Sequence, residues 1–177
     1  DGGVVVQNLL PTVTLETTDL VYVENASPLV LAAAATVSDD QASHNGGSLT
    51  ARFRANGTDA DRLGIENQGS GPGQIGVSGP IVRFEGPRIG SFTGGTGSAT
   101  PLVVTFDRAA STDAVQALVR ALTYWNVSDA PDTSDREVGV TFVDGEGGVG
   151  DEAVLTVMVE AVNDAPTLDR IGNVTLR

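Results

Sequence analysis

The sequence has no cysteine, no lysine and few aromatic residues among its 177 positions. Without cysteine, the chain has neither disulfides nor a thiolate metal site. All ten basic residues are arginine, against 23 acidic residues, and the formal net charge is −13. We therefore expect nucleic acid and anionic membranes to be poor partners and cations to be good ones. Solubility alone would also account for this acidity.

Signals for membrane insertion and for catalysis are also missing. No run of about 18 apolar residues is present, so no transmembrane helix is predicted. His44 is the single histidine and lies in a glycine-rich stretch without a paired nucleophile or base. Residues 71–76 carry the letters GxGxxG, but no strand–helix–strand unit surrounds them, so we interpret them as a turn. We predict that the chain is not an enzyme.

What is abundant is glycine and short stretches of alternating apolar residues, which suit strands and turns. Strands are predicted around 49–55, 101–107, 137–143 and 154–159. One short helix is predicted after Ser111, which is a suitable N-cap, because apolar residues follow it at helical spacing. The segment 67–97 retains apolar residues between its glycines and serines, which indicates short hairpins. Together, these predicted strands, hairpins and helix indicate an all-β sandwich of about seven or more strands with one short helix.

Nine apolar side chains are predicted to form part of the core: Leu31, Phe53, Val104, Phe106, Leu118, Leu122, Trp125, Phe142 and Val157. The single tryptophan has a second interpretation, as a surface platform on which a sugar ring stacks. Sandwich cores commonly bury their one tryptophan, which favours the core.

A boundary motif occurs twice in the chain. Residues 8–13 (NLLPTV) and 163–168 (NDAPTL) share Asn, Pro and Thr at the same offsets. Since proline cannot continue a strand ladder, we expect a structural unit to end at each motif. This predicts a leader over 1–10, one repeat unit over 11–166 and the start of a next repeat over 167–177. Neighbouring repeats of the same polypeptide are then the expected partners, and the isolated unit is expected to be a monomer.

The stretch 100–166, from TPLVVTFDRAAST to VEAVNDAP, resembles the cadherin-like repeats of very large bacterial surface proteins, including RTX-type adhesins. The match covers nearly the whole chain and is strongest over this stretch. The resemblance implies a cadherin-like or immunoglobulin-like Greek-key β-sandwich. It also implies a secreted module at the bacterial cell surface, strung in tandem with its neighbours and often made rigid by calcium.

Calcium ligands at the C-terminal end of the unit are one consequence of this resemblance. Residues 23–25 (Val-Glu-Asn) resemble the family's first-strand signature, whose glutamate binds calcium at that end. Asn163 and Asp164 resemble the linker signature at the same end. The implied ligands are Glu24 and Asp164, with Asn163 as a weaker candidate. Part of this coordination shell would come from the next repeat.

Calcium ligands at the N-terminal end of the unit are a second consequence. Residues 39–46 resemble the family's Asp-x-Asp…Asn-Gly loop, and residues 144–145 resemble its acidic turn before the last strand. The implied ligands are Asp39, Asp40, Asn45 and Asp144. Asp135 matches the family's Asp-Arg-Glu in letters but stands too close to the acidic turn, so it is a weaker candidate.

The chain departs from the family pattern at two positions. Gln41 stands where the loop motif has its second aspartate, which keeps an oxygen but loses a charge. Leu9 stands in the first boundary motif where Asp164 stands in the second. Calcium needs about six to eight oxygens, so several ligands must converge, whereas a single aspartate in a turn is usually a backbone cap.

Three functions fit the sequence. The first is a non-enzymatic spacer of a bacterial adhesin that holds a binding domain away from the cell. The second is a module that binds carbohydrate or another ligand, with segment 67–97 as its recognition surface. The third is an accessory domain of a secreted polysaccharide-degrading enzyme.

Overall fold

The computed structural model describes residues 7–16 and 20–165. The described residues form thirteen strands and one helix, which confirms the all-β class with a single short helix. The strands are β1 (Thr12–Thr14), β2 (Leu20–Val23), β3 (Leu29–Val30), β4 (Thr36–Ser38), β5 (Ser48–Ala55), β6 (Asp61–Ile65), β7 (Ile75–Ser78), β8 (Ile81–Phe84), β9 (Arg88–Thr93), β10 (Leu102–Phe106), β11 (Leu122–Asn126), β12 (Arg136–Val143) and β13 (Ala153–Glu160). The helix is α1 (Thr112–Arg120).

The strands form one large sheet and two small ones. The eight-stranded sheet has the order β2-β13-β12-β5-β10-β9-β8-β7, and the others are β3-β11-β6 and β1-β4. All described pairs are antiparallel except β2 with β13, which is parallel. The arrangement fits an all-β sandwich, while the cadherin-like Greek-key connection stays a prediction. Within the described ranges, no helix is long and apolar enough to cross a membrane.

Alternation along the strands places the core between the sheets. In β13, for example, Leu155, Val157 and Val159 are buried while Val154 and Thr156 are exposed. Seven of the nine predicted core residues are buried, namely Leu31, Val104, Phe106, Leu118, Leu122, Phe142 and Val157.

Phe53 and Trp125 are the two exceptions, and their predicted full burial is wrong. Phe53 is half-buried and packs edge-to-face on Tyr124 with ring centroids 6.0 Å apart. It stands in the second half of β5, where the inner face of the strand becomes partly exposed. Trp125 is half-buried because consecutive residues of a strand point to opposite faces, and Tyr124 occupies the inner one.

The helix and the glycine-rich segment follow the sequence expectations. Ser111 caps α1, and its hydroxyl oxygen accepts a hydrogen bond from the backbone N–H of Ala114 at 3.2 Å. Strands β7, β8 and β9 lie within segment 67–97 and extend the large sheet beyond β10 as antiparallel hairpins. The GxGxxG letters form a turn, in which the backbone N–H of Gln74 donates to the carbonyl of Gly71 at 3.1 Å.

The described residues cover the predicted boundary at 10/11 but not the one at 166/167. The predicted leader 1–10 lies partly outside the described residues, and the predicted start of a next repeat, 167–177, lies wholly outside them. The predicted repeat unit 11–166 is described over most of its length.

Candidate metal centre

Three chain segments meet at the C-terminal end of the sandwich. Because β2 and β13 run parallel, their last residues Val23 and Glu160 are paired and the chain leaves both strands at the same end. The backbone N–H of Glu24 then donates to the carbonyl of Glu160 at 2.8 Å. The end of β11 joins them, since the hydroxyl of Tyr22 donates to the carbonyl of Asn126 at 3.2 Å. Residues 24–26, the loop after β11 and the linker 161–165 are therefore neighbours.

The three segments bring together three carboxylates, which we call the acidic triad: Glu24, Asp129 and Asp164. One oxygen from each lies within 4.8 Å of the other two. The Glu24 residue is only 5% exposed, whereas Asp129 and Asp164 are exposed. Among the described residues, the triad is the one group of three or more acidic, histidine or cysteine side chains close enough to share a metal ion. Three carboxylates at this separation repel one another unless a cation lies among them.

The hydrogen bonds of Glu24 leave half of its carboxylate unsatisfied. Its Oε2 accepts from the backbone N–H of Val162 at 2.8 Å, which ties the linker to the end of β2. Its Oε1 is buried and has no hydrogen-bond partner among the described residues. A buried carboxylate oxygen without a donor is costly, and a bound cation would satisfy it.

The residue after Glu24 shapes the backbone turn that ends β2. Asn25 has a positive φ of 61°, and the backbone N–H of Ala26 donates to the carbonyl of Val23 at 3.0 Å. Asparagine tolerates this left-handed conformation better than most residues with a side chain. The Glu-Asn pair thus forms a tight turn at the end of β2, in which asparagine shapes the backbone and glutamate faces the linker.

Two of the sequence-predicted ligands, Glu24 and Asp164, lie together in the acidic triad. Asp129 was not predicted. The loop 127–135 is visibly acidic in the sequence, but assigning Asp129 to this site requires knowing that β11 ends beside β2. The two weaker candidates are exposed and stand outside the triad. Asn163 donates from its amide to the carbonyl of Asp164 at 3.0 Å, and the carbonyl of Asp135 accepts from the Asn56 amide at 2.8 Å.

The ligands predicted at the N-terminal end lie in two loops, one between β4 and β5 and the other between β12 and β13. These loops are neighbours because Ser48, at the start of β5, pairs with Val143, at the end of β12. The side chains of Asp39 and His44 are completely buried, with Oδ2 and Nδ1 3.4 Å apart. On the other side of the imidazole, Nε2 lies 3.1 Å from the hydroxyl oxygen of Thr112. Burial lowers the pKa of His44 below its ordinary value, although the charges of Asp39 and Asp144 act in the opposite direction.

Asp144 is also buried, and its oxygens accept hydrogen bonds from its own turn. Oδ1 accepts from the backbone N–H groups of Glu146 and Gly148, both at 2.8 Å, and Oδ2 accepts from the Asn8 amide at 3.1 Å. Burial by itself raises the pKa of Asp144, but these donors outweigh it and hold the pKa below its ordinary value. Asp144 therefore has the bonds of a turn-capping residue.

The remaining N-terminal candidates, Asp40 and Asn45, are exposed. No N-terminal candidate belongs to the acidic triad, which lies at the opposite end of the sandwich. Calcium binding at the N-terminal end stays a prediction.

Comparison with known proteins adds no family to these observations. No family model matches the chain, and no curated protein matches it. The candidate metal centre therefore rests on the geometry of the acidic triad.

Proposed function

We propose that this chain is a non-enzymatic extracellular repeat module of a bacterial adhesin. In this proposal the module is a spacer in cell adhesion or biofilm attachment, and calcium at its C-terminal end stiffens the junction to a neighbouring repeat. The observation that supports it is the acidic triad, in which two predicted ligands and Asp129 place carboxylate oxygens within 4.8 Å of one another.

The chemistry of the triad favours calcium over other common metals. All three side chains offer hard oxygen ligands, with neither histidine nor cysteine among them. Calcium accepts about six to eight oxygens in flexible geometry, and water or a neighbouring repeat would supply the others. Magnesium requires near-ideal octahedral geometry and loses its water reluctantly, so a site assembled from three separate segments suits it less.

The position of the triad explains why an ion there would stiffen a junction. Asp164 belongs to the linker, whereas Glu24 follows β2 and Asp129 follows β11. In the absence of an ion, the linker is tied to Glu24 through the hydrogen bond from Val162. An ion held by all three carboxylates adds a second tie and fixes the direction in which the linker leaves the sandwich.

Thermal unfolding in calcium, in magnesium and in a chelator tests the proposal. A ligand that binds only the folded state stabilises it by RT ln(1 + [L]/Kd), which is about 2.7 kcal/mol at a hundredfold excess over Kd. We expect calcium to raise the melting temperature and magnesium at equal concentration to raise it less. Glu24→Gln, Asp129→Asn and Asp164→Asn should each weaken this response.

The matched control is Asp151→Asn, which removes one exposed carboxylate from the loop before β13, at the N-terminal end. It should respond to calcium as the parent chain does. A melting temperature that calcium leaves unchanged would contradict the proposal, and so would equal responses from the control and the three triad variants.

Small-angle scattering on three consecutive repeats tests the spacer role separately. With calcium the protein should be extended, and with chelator it should become more compact on average. The linker that carries Leu9 in place of an acid should be the more flexible of the two junction types. An equally extended protein under both conditions would mean that packing alone stiffens the array.

A further inference from the structure

Two cavities of about 570 and 380 Å³ lie beside the small sheet β3-β11-β6, and Glu66 lines both of them. We call the two cavities together the Trp125 groove. Trp125 and Asn67 line the smaller cavity, and Phe84, Gln116 and Arg120 line the larger one. Segment 67–97 supplies one wall and α1 supplies another. The groove shares no residue with the acidic triad.

Trp125 forms a flat surface at one end of this groove. Its indole lies across β6 at Gly64, where a Cβ atom would come within 2.7 Å of the ring carbon Cζ3. Only glycine at this position lets the ring lie so close to the strand. The ring is half-buried and lines the cavity, so part of its surface faces the groove.

Two amide side chains present hydrogen-bond donors to the groove. The carbonyl oxygen of Asn67 accepts from the backbone N–H of Val77 at 3.0 Å, and that of Gln116 accepts from the backbone N–H of Val37 at 3.1 Å. Since a backbone N–H requires an oxygen acceptor, these bonds determine which way each amide points. In the described part of the chain, neither amide nitrogen makes a hydrogen bond. Both donors are thus held in place for a ligand, which lowers the entropic cost of binding.

The charges in the groove favour a neutral ligand. Glu66 and Asp113 contribute two carboxylates, and Arg120 contributes one guanidinium. The Nε of that guanidinium already donates to the carbonyl of Ala35 at 2.8 Å. An anionic ligand would therefore meet net negative charge, in a chain whose formal net charge is −13.

We propose that the Trp125 groove binds a neutral oligosaccharide. A sugar ring has an apolar C–H face that packs on an aromatic ring, and hydroxyl groups that both donate and accept hydrogen bonds. In the groove the C–H face lies on Trp125, the amides of Asn67 and Gln116 donate to hydroxyls, and Glu66 accepts from them. Segment 67–97, predicted from the sequence as a recognition surface, supplies Asn67 and Phe84. The inference does not depend on calcium binding at the acidic triad.

Fluorescence and calorimetry test this inference directly. Trp125 is the only tryptophan, so its emission reports on the groove alone. The ligands are neutral hexasaccharides of β-1,4-linked glucose, xylose, mannose and N-acetylglucosamine at up to about 5 mM, with hexagalacturonate as the anionic comparison. We expect a saturable emission shift and binding heat with at least one neutral sugar, and none with hexagalacturonate. If the folded protein gives no saturable signal with any of the four neutral sugars, the inference is overturned.

A matched pair of variants tests the assigned contacts. Asn67→Asp keeps the oxygen that accepts from Val77 but removes the amide donor. Asn56→Asp likewise removes an amide donor, at an exposed turn after β5 that lines neither cavity of the groove. We expect roughly tenfold weaker sugar binding in Asn67→Asp and in Trp125→Ala, and unchanged binding in Asn56→Asp. Equal affinity of Asn67→Asp and Asn56→Asp for the sugar would overturn the inference even if Trp125→Ala fails to fold.

Discussion

Arg136 donates a hydrogen bond from Nε to Oδ2 of Asp61 at 3.0 Å, and both side chains are completely buried. The other oxygen, Oδ1, accepts from the hydroxyl of Tyr124 and from the amide of Asn126, both at 2.6 Å. Burial by itself raises the pKa of Asp61, but the donors led by Tyr124 and the Thr58 backbone N–H outweigh it and hold the pKa below its ordinary value. The ion pair therefore connects β6, β11 and β12 in a hydrogen-bonded network.

Breaking this ion pair should be severely destabilising. Asp61→Asn leaves the buried Arg136 charge with only the exposed carboxylate of Asp132, 3.4 Å away, as a counter-charge. Removing one partner of a buried pair typically costs about 3–5 kcal/mol. Urea unfolding followed by tryptophan fluorescence measures the loss. The exposed pair of Arg88 and Asp107, 2.7 Å apart, is the control, and Arg88→Met should cost less than about 1 kcal/mol. A similar loss in both variants would show that burial does not set the contribution of the Asp61–Arg136 pair.

The sequence predicted the features that depend on local pattern. Alternation identified β13, and Ser111 with its following apolar residues identified α1, because these signals lie within a few positions. It could not predict the Asp61–Arg136 pair, whose members are 75 residues apart. Arg136 stands at the centre of the letters Asp-Arg-Glu at 135–137, and in the fold it is the partner of a buried aspartate.

Pairing between strands that are distant in the sequence also decides which residues of the acidic triad could be predicted. Glu24 and Asp164 could be proposed because each stands in a recognisable motif. Asp129 could not be proposed from the sequence. Its place in the acidic triad depends on the parallel pairing of β2 with β13 and on the hydrogen bond from the Tyr22 hydroxyl to the Asn126 carbonyl. The prediction that Trp125 is buried in the core was wrong for a related reason. Alternation shows that adjacent aromatic residues face opposite ways but does not show which one faces the core.

Replacing Trp125 should be less costly than replacing a core residue. Since the ring is half-buried on the outer face, we expect Trp125→Ala to cost about 1–2 kcal/mol, compared with about 3–5 kcal/mol for a buried tryptophan. Leu122→Ala, at a residue that is 1% exposed, is the control and should cost about 2–5 kcal/mol. Thermal unfolding followed by circular dichroism measures both. A larger loss for Trp125→Ala than for Leu122→Ala would contradict the outer-face position.

His44 should make stability depend on pH just below neutrality. Its pKa is lowered in the folded state, so the unfolded chain takes up a proton first as the pH falls through about 6.5. The stability linked to His44 is thus fully present above that pH and decreases toward its folded pKa. The groups that face the imidazole are Asp39, Asp144, Thr112 and Phe142.

Urea unfolding at a series of pH values between about 5 and 8 tests the His44 prediction. The parent chain should lose stability toward the acid end of this range, and His44→Gln, which does not titrate, should lose less. If the parent gained stability toward lower pH, the ion pair with Asp39 would outweigh burial and the predicted sign would be wrong.

Two aspartates at opposite ends of the sandwich should respond to calcium in opposite ways. Asp144 accepts three hydrogen bonds, so Asp144→Ala leaves those donors without an acceptor and should cost about 1.5–3 kcal/mol even in chelator. Asp164 lies among like charges, so Asp164→Ala should leave the melting temperature in chelator unchanged or slightly raised, because it removes repulsion with Glu24 and Asp129. In calcium, Asp164→Ala should lose most of the calcium-dependent rise in melting temperature. Asp144→Ala should show the full rise, but from a lower melting temperature in chelator. The opposite result, with the rise lost in Asp144→Ala and kept in Asp164→Ala, would place the calcium site at the N-terminal end, around Asp39 and Asp144.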